Sequence, residues 1–347
     1  MKPYEDLTRQ GRVLRLREVA GLALKAFGMP DADYRFNHDS GNVSFRVRNA
    51  EETRKRSYRE LFEPGHYVLR LHQDDYQETQ AIRSELAWLE ALGHAGLPVP
   101  APVRSVEGQL LVEIAHPGMP VPRRCSLLCW VKGRMTEKGI GPNHVRAMGQ
   151  AMARMHEQAA SWSPPDGFER WHYTWEGLFG ASNVAGVSLQ TAQAEILDSV
   201  RVVYDEVTAA LAGVMGALGT GADAFGLIHA DLSLGANVLF WKGEARPIDF
   251  DDCSFGYWMF DAGVALSGLR ARSNWPLLRD AFLSGYLSVR SMPEDQWRHH
   301  DLFIAAWHAF EIFWAAADIC KYPQWKAGSE RWQQRAGKDL QAILAER

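Results

Sequence analysis

Three short stretches of this 347-residue chain carry the side chains best suited to chemistry. They are Leu227-Ile228-His229-Ala230-Asp231, Asn237-Val238-Leu239-Phe240 and Pro247-Ile248-Asp249-Phe250-Asp251-Asp252. An apolar strand delivers Asp231 into a turn, Asn237 opens the next strand, and a further apolar strand delivers Asp249. Paired strands can bring the three into one small volume. Phosphoryl transfer asks for such groups. A phosphate-bound Mg²⁺ takes hard oxygen ligands, which an Asn amide and an Asp carboxylate supply. The attacking hydroxyl needs a carboxylate to orient it and accept its proton.

Other chemistries lack their signatures. The chain contains no GxGxxG, GxxxxGK[ST], HExxH or GxSxG pattern, which weighs against dinucleotide oxidoreductases, P-loop enzymes, zincins and α/β-hydrolases. A formal net charge of −4 argues against a nucleic-acid partner. Cys125, Cys129, Cys253 and Cys320 form no CxxC pair and read as reduced thiols. The amino-terminal residues show no secretory h-region, so the chain reads as cytoplasmic. The longest apolar run, from Phe303 to Cys320, is interrupted by His308, Glu311 and Asp318. It suits a buried helix rather than a membrane span.

The elements that must position these residues fall into two groups. The first 30 residues show helical spacing. Two alternating segments, 34–38 and 43–47, are joined by the turn Asp39-Ser40-Gly41-Asn42 and read as a hairpin with one buried face. The charged run 49–65 reads as a solvated excursion. Strands are expected at 67–72, 101–106, 109–115 and 126–131, with a helix over 78–93 ended by a Pro-rich stretch. Beyond residue 134, helices are expected over 143–160, with Asn143 as cap, and over 189–216. A strand-rich island follows at 226–250, and helices dominate from 257 onward.

Together these motifs resemble the aminoglycoside/choline/homoserine kinase-like phosphotransferases, distant relatives of protein kinases. LIHADL…NVLF is similar to their catalytic loop, PIDFDD to their metal-binding motif, and FGYWMFDAGVAL to the segment after it. AMARMHEQ, YVLRLH with Glu85, and SLLCWVKGR are similar to further family elements, so the likeness runs over roughly residues 30 to 320. The resemblance implies an α+β, two-lobed protein-kinase-like fold. Residues 1–130 would form a β-rich lobe covering the nucleotide, and 131–347 a mostly helical lobe with the catalytic loop and acceptor site. It implies ATP and Mg²⁺ as cofactors. Asp231 would be the catalytic base, and Asn237 and Asp249 would hold the metal. Arg70 would meet the phosphates and pair with Glu85. The turn Ser40, Gly41 and Asn42 would cover the phosphates with N–H groups, and the backbone of Leu128, Trp130 and Val131 would read adenine. His229 and Asp261 would support the loop. Three departures stand out: Arg70 occupies the usual Lys position, six residues rather than five separate Asp231 from Asn237, which implies a bulged loop, and the phosphate-covering turn has one Gly rather than several.

The acceptor is expected to be a hydroxyl of a small molecule. Two aromatic groups, Trp171, Tyr173, Trp175 and Phe179, and Trp307, Phe310, Phe313 and Trp314, read as core packing or as the lining of a cationic or sugar-like acceptor site. The DFDD form and the lobe lengths also suit a stress-response-type protein Ser/Thr kinase. The Arg70 substitution and the longer loop leave room for a non-catalytic nucleotide-binding module.

Overall fold

Thr8 starts the first helix, α1 (Arg9–Ala26), by accepting the Gly11 N–H on its hydroxyl at 3.2 Å, the role of a Thr N-cap. The structure, a computed structural model, describes residues 2–50, 61–136 and 138–346. Most of the expected charged excursion, 51–60, lies outside these residues. The chain divides into two units. One comprises residues 1–134, 164–169 and 246–251, and the other 135–163, 170–245 and 252–347.

After α1 the first unit contains β1 (Asp33–Ser40), β2 (Asn42–Arg48), β3 (Phe62–Leu71), α2 (Thr79–His94), β4 (Pro102–Val103), β5 (Leu111–Ile114) and β6 (Arg123–Val131). Its sheet runs β1-β2-β3-β6-β4, with β5 also pairing β6, and every ladder is antiparallel. Period-two alternation decides which side chains meet. Phe45 and Val47, Tyr67, Leu69 and Leu71, and Cys125 and Leu127 pack with Leu16, Val19, Ala20, Ala23 and Leu24 of α1. The opposite face therefore carries two cross-strand rows: Ser44, Arg70 and Ser126, then Arg46, Val68 and Leu128. The strand expected at 101–106 shrinks to Pro102–Val103: beyond it, the Ser105 N–H donates to the Gln109 carbonyl at 2.8 Å and the Val106 N–H to the Ala26 carbonyl at 2.9 Å, outside the ladder.

The second unit begins with α3 (Pro142–Ser161). Its N-cap is Gly141 and Pro142 stands in the first turn, so Asn143 lies inside the helix: proline's fixed φ favours the first helical position. Then come β7 (His172–Tyr173), α4 (Trp175–Phe179), α5 (Leu189–Ala194), α6 (Asp198–Leu218), β8 (Phe225–Ile228), β9 (Val238–Trp241) and β10 (Glu244–Pro247). β9 and β10 form a two-stranded ladder, and β10 carries the chain back into the first unit. After it come β11 (Ser254–Tyr257), α7 (Trp258–Ser267), α8 (Trp275–Leu287), α9 (Glu294–Trp297), α10 (His300–Lys321) and α11 (Lys326–Ala345). A small sheet runs β7-β11-β8.

The helix expected over 189–216 is two helices. Leu197 adopts an extended conformation. The buried Gln333 of α11 accepts the Leu197 N–H at 2.9 Å and donates to the Glu195 carbonyl at 3.0 Å. A side chain distant in sequence satisfies the interrupted backbone, which no local pattern announces.

The apolar run at 303–320 lies within α10, where Phe303, Ile304, Phe310, Ile312 and Phe313 are buried. Among the described residues α10 alone is long and apolar enough to cross a membrane, and 83% of its apolar window is buried inside the protein. The two aromatic groups merge. Tyr173 lies 5.5 Å from Phe310, and Phe179 lies 6.5 Å from Phe310 and 6.3 Å from Phe313. These four rings are buried, while Trp171, Trp175, Trp307 and Trp314 are half-buried around them.

Candidate active site

The second unit presents Asp231 on a loop held from behind. β8 ends at Ile228, and the next two backbone N–H groups, of His229 and Ala230, donate to the two carboxylate oxygens of Asp261 at 3.2 and 2.8 Å. Ala230 has φ of 67°, the left-handed region, which costs a residue with a Cβ about 1–2 kcal/mol. Asp261 compensates by taking both N–H groups. Asp231 then follows, half-buried, with its own N–H donated to His229 Nδ1 at 3.3 Å. The sequence expectation that His229 and Asp261 brace the loop matches this geometry.

Behind Asp261 stands a buried relay. His156 Nε2 lies 2.9 Å from Asp261, His156 Nδ1 lies 2.9 Å from the Tyr286 hydroxyl, and Arg290 donates to that hydroxyl at 3.1 Å. Burial works against the Asp261 charge, but His156, His229 and the Ala230 N–H overcome it and hold the carboxyl below its ordinary range. Burial pushes His156 down despite Asp261, so His156 is neutral near pH 7. The consistent tautomer is Nε2–H donating to Asp261, with Nδ1 accepting from Tyr286.

The extra residue between Asp231 and Asn237 is absorbed by a tight turn. The Asn237 N–H donates to the Ser233 carbonyl at 3.0 Å, and Gly235 takes φ of 86°. Asn237 still reaches back: its Nδ2 donates to the Asp231 carboxylate at 2.6 Å and to the Asp231 carbonyl at 2.9 Å. With both donor bonds directed at Asp231, the amide oxygen is the group left to accept or to bind a cation.

The first unit gathers a different set. Arg70 is buried, and its Nη1 donates to Glu85 at 2.7 Å while Nη2 lies 3.4 Å from Asp249. Glu85 is 1% exposed on α2, whereas the Asp249 side chain is 51% exposed. Burial disfavours the Arg70 charge, but Glu85, then Asp249 and Asp251, more than offset that and push its pKa up. Asp249 has φ of 64°, a second strained non-glycine position beside a candidate functional carboxylate. The turn at Ser40, Gly41 and Asn42 is tight: Ser40 pairs directly with Asn42 across Gly41, whose φ is 82°. Leu128 and Val131 are buried in β6, and Trp130 lies half-buried under the Arg46 guanidinium, 4.5 Å from its ring centroid. Among the described residues, no three His, Cys, Asp or Glu side chains are gathered to hold a metal ion.

A family model described as the phosphotransferase enzyme family matches residues 46–303. The chain belongs to this family. The phosphotransferase is 26% identical over 227 residues to an uncharacterized protein of Synechocystis sp., an alignment covering 64% of this chain and 60% of that protein. The chain thus spans less than two thirds of the curated relative that it matches. Its fold is similar to that of a microcompartment-associated aminopropanol kinase, with TM-score 0.77, 24% identity, and 95% of this chain and 98% of that one covered. It is also similar to amicoumacin kinase in complex with AMP-PNP, Ca²⁺ and its ligand, with TM-score 0.73, 17% identity and 96% of each chain covered. The Plasmodium vivax ethanolamine kinase gives TM-score 0.61 at 11% identity, over 97% of this chain and 89% of that one. The α+β, protein-kinase-like fold expected from the motifs is the fold of this phosphotransferase.

Sequence reasoning missed three participants in this geometry. His156 and Tyr286 complete the brace of the loop that carries Asp231, and Asp251 binds the Asn42 side chain at 2.9 Å. His156 carried a faint signal as a polar residue on the apolar face of a helix. Tyr286 carried none, and Asp251 was visible within the PIDFDD motif but not as the partner of Asn42, since the partners of these two residues lie 130 and 209 residues away.

Proposed function

We propose that this chain transfers the γ-phosphoryl group of ATP to a hydroxyl of a small molecule, with Asp231 as the catalytic base. The observation that carries the reading is the braced loop: Asp231 follows a strained Ala230, is fixed by Asn237 at 2.6 Å, and is backed by Asp261 through two backbone N–H groups. A carboxylate so positioned suits orienting an acceptor hydroxyl and taking its proton as the oxygen attacks the γ-phosphorus and ADP departs.

Asn237 and Asp249 offer the hard oxygens that fit Mg²⁺, which in phosphoryl transfer takes one or two protein ligands plus substrate phosphates. When bound, the ion supplies charge neutralisation on those phosphates. Arg70, buried and tied to Glu85, would keep a permanent positive charge at the α/β-phosphates. The Ser40–Asn42 turn would cover the phosphates, and the backbone near Leu128, Trp130 and Val131 would read adenine. In this reading the β-rich part covers the nucleotide, and the helical part carries the loop and the acceptor site. The partly exposed tryptophans 171, 175, 307 and 314 are candidates for the acceptor lining. The kinases similar in fold are named for aminopropanol, amicoumacin and ethanolamine, which supports a small-molecule acceptor.

The test is a phosphorylation screen with ATP and Mg²⁺ against small amino alcohols, aminoglycosides and generic protein substrates, run with parent and Asp231→Asn protein. A small alcohol should be phosphorylated by the parent. Asp231→Asn should lose about 10²-fold or more of that turnover while still binding nucleotide. Equal turnover by the variant would remove Asp231 as base.

A further inference from the structure

The side chain of Asn42 closes a ring of contacts that its position in a turn does not require. Its Nδ2 donates to the Asp251 carboxylate at 2.9 Å, and its Oδ1 accepts the Gln73 N–H at 3.0 Å. Gln77, at the other end of the same loop, donates from Nε2 to the Asp251 carbonyl at 3.2 Å. The loop between them is held by the buried Arg124, which donates to the carbonyls of Gln77, Gln73 and Asp74 at 2.6, 3.0 and 3.0 Å. All these residues belong to the first unit. Asn42 thus spends both halves of its amide joining the tip of the β1–β2 hairpin to the Asp249–Asp251 segment and to the 73–77 loop.

We propose that Asn42 and Asp251 form a latch that fixes the phosphate-covering turn, making Asp251 a positioning residue for the nucleotide phosphates. The inference rests on the phosphotransferase reading above. A turn with a single glycine between its paired residues can aim its N–H groups at phosphate oxygens only if the turn is held still. Holding it before the nucleotide arrives lowers the ordering cost of binding. The latch also separates two neighbouring carboxylates by task. Asp251 engages Asn42, while Asp249, half exposed beside Arg70, remains for the cation. Removing either partner should loosen the turn without altering the surface that receives the base.

Calorimetry with AMP-PNP and Mg²⁺ on the full chain tests this. Asn42→Ala and Asp251→Ala should each weaken AMP-PNP about tenfold, the effect of losing one charge-assisted hydrogen bond. The double variant should be no weaker than the poorer single, because both remove one contact. Adenosine affinity should stay within about twofold of the parent. Asp251→Asn should recover most of the loss, since its amide oxygen still accepts from Asn42. In nucleotide-free protein, the Gln73 amide should exchange faster in Asn42→Ala than in the parent. Additive losses, an Asp251→Asn variant as weak as Asp251→Ala, or unchanged exchange at Gln73 would each overturn the latch. A parent that binds no AMP-PNP removes the phosphotransferase reading and the latch with it. A parent that binds AMP-PNP, with variants that bind equally well, removes the latch alone.

Discussion

Arg70 is a buried cation paired with Glu85 and lying beside Asp249, and its replacement has two consequences with separate readouts. Arg70→Ala strands Glu85, 1% exposed, without its partner at 2.7 Å; breaking a buried pair from one side costs about 3–5 kcal/mol. Denaturant unfolding should show that loss, and ATP affinity should fall about tenfold or more. Arg70→Lys should restore much of both, because an ammonium can still meet Glu85 as a compact charge. An Arg70→Ala protein as stable as the parent would mean that the pair contributes nothing. The family resemblance implied this pair, whereas the strand and helix patterns by themselves name neither residue as the other's partner, because the two lie on separate elements 15 residues apart. The turn that absorbs the residue between Asp231 and Asn237 was legible as a bulge, not in its form. The left-handed φ of Ala230 was not legible at all. Alanine carries no signal for φ above zero, and the compensation comes from Asp261, 31 residues away.

Helices and strands whose partners are nearby in sequence follow their patterns closely. α2 spans Thr79–His94 where spacing placed a helix over 78–93. Misreadings occur where a distant group decides, as Gln333 does at the break between α5 and α6. Packing of α3 on α8 is likewise decided by groups distant in sequence. A Cβ on Gly149 would meet the Phe282 carbonyl oxygen, and one on Gly285 would meet the Arg146 carbonyl oxygen. The two backbones approach too closely for side chains, so Gly149→Ala should destabilise by about 2–3 kcal/mol or more. Gly213→Ala on α6, where a Cβ meets nothing within 4 Å, should instead stabilise by about 0.5–1 kcal/mol through helix propensity. Thermal unfolding of the two variants checks both signs. A Gly149→Ala protein with an unchanged Tm would mean that the helices slide apart freely.

Across the whole molecule, buried histidines set a dependence on pH. Burial, with Arg70 and Arg124 nearby, keeps His72 neutral in the fold, and burial does the same for His156 against the pull of Asp261. In the unfolded chain both would take up a proton near the ordinary value of 6.5. The unfolded state therefore binds more protons as pH falls below that value, and stability must decline on going from about pH 7 to pH 5. Each histidine contributes at most about 1.4 kcal/mol per pH unit. Denaturant midpoints at the two pH values test this, and His72→Asn should flatten the decline; a midpoint that rises toward pH 5 would contradict it. The chain's path between its two units has a consequence for biosynthesis. Residues 246–251 belong to the first unit, where Phe250 packs edge-on against Trp88 at 5.5 Å and Asp249 meets Arg70. A ribosome cannot complete the amino-terminal unit until residue 251 has left the exit tunnel. Until then Trp88 waits without its cover, so the nascent chain passes more than half its length with an unfinished sheet-and-helix intermediate. Any pause or cut in translation before that point would release a fragment that exposes this apolar surface to chaperones and proteases.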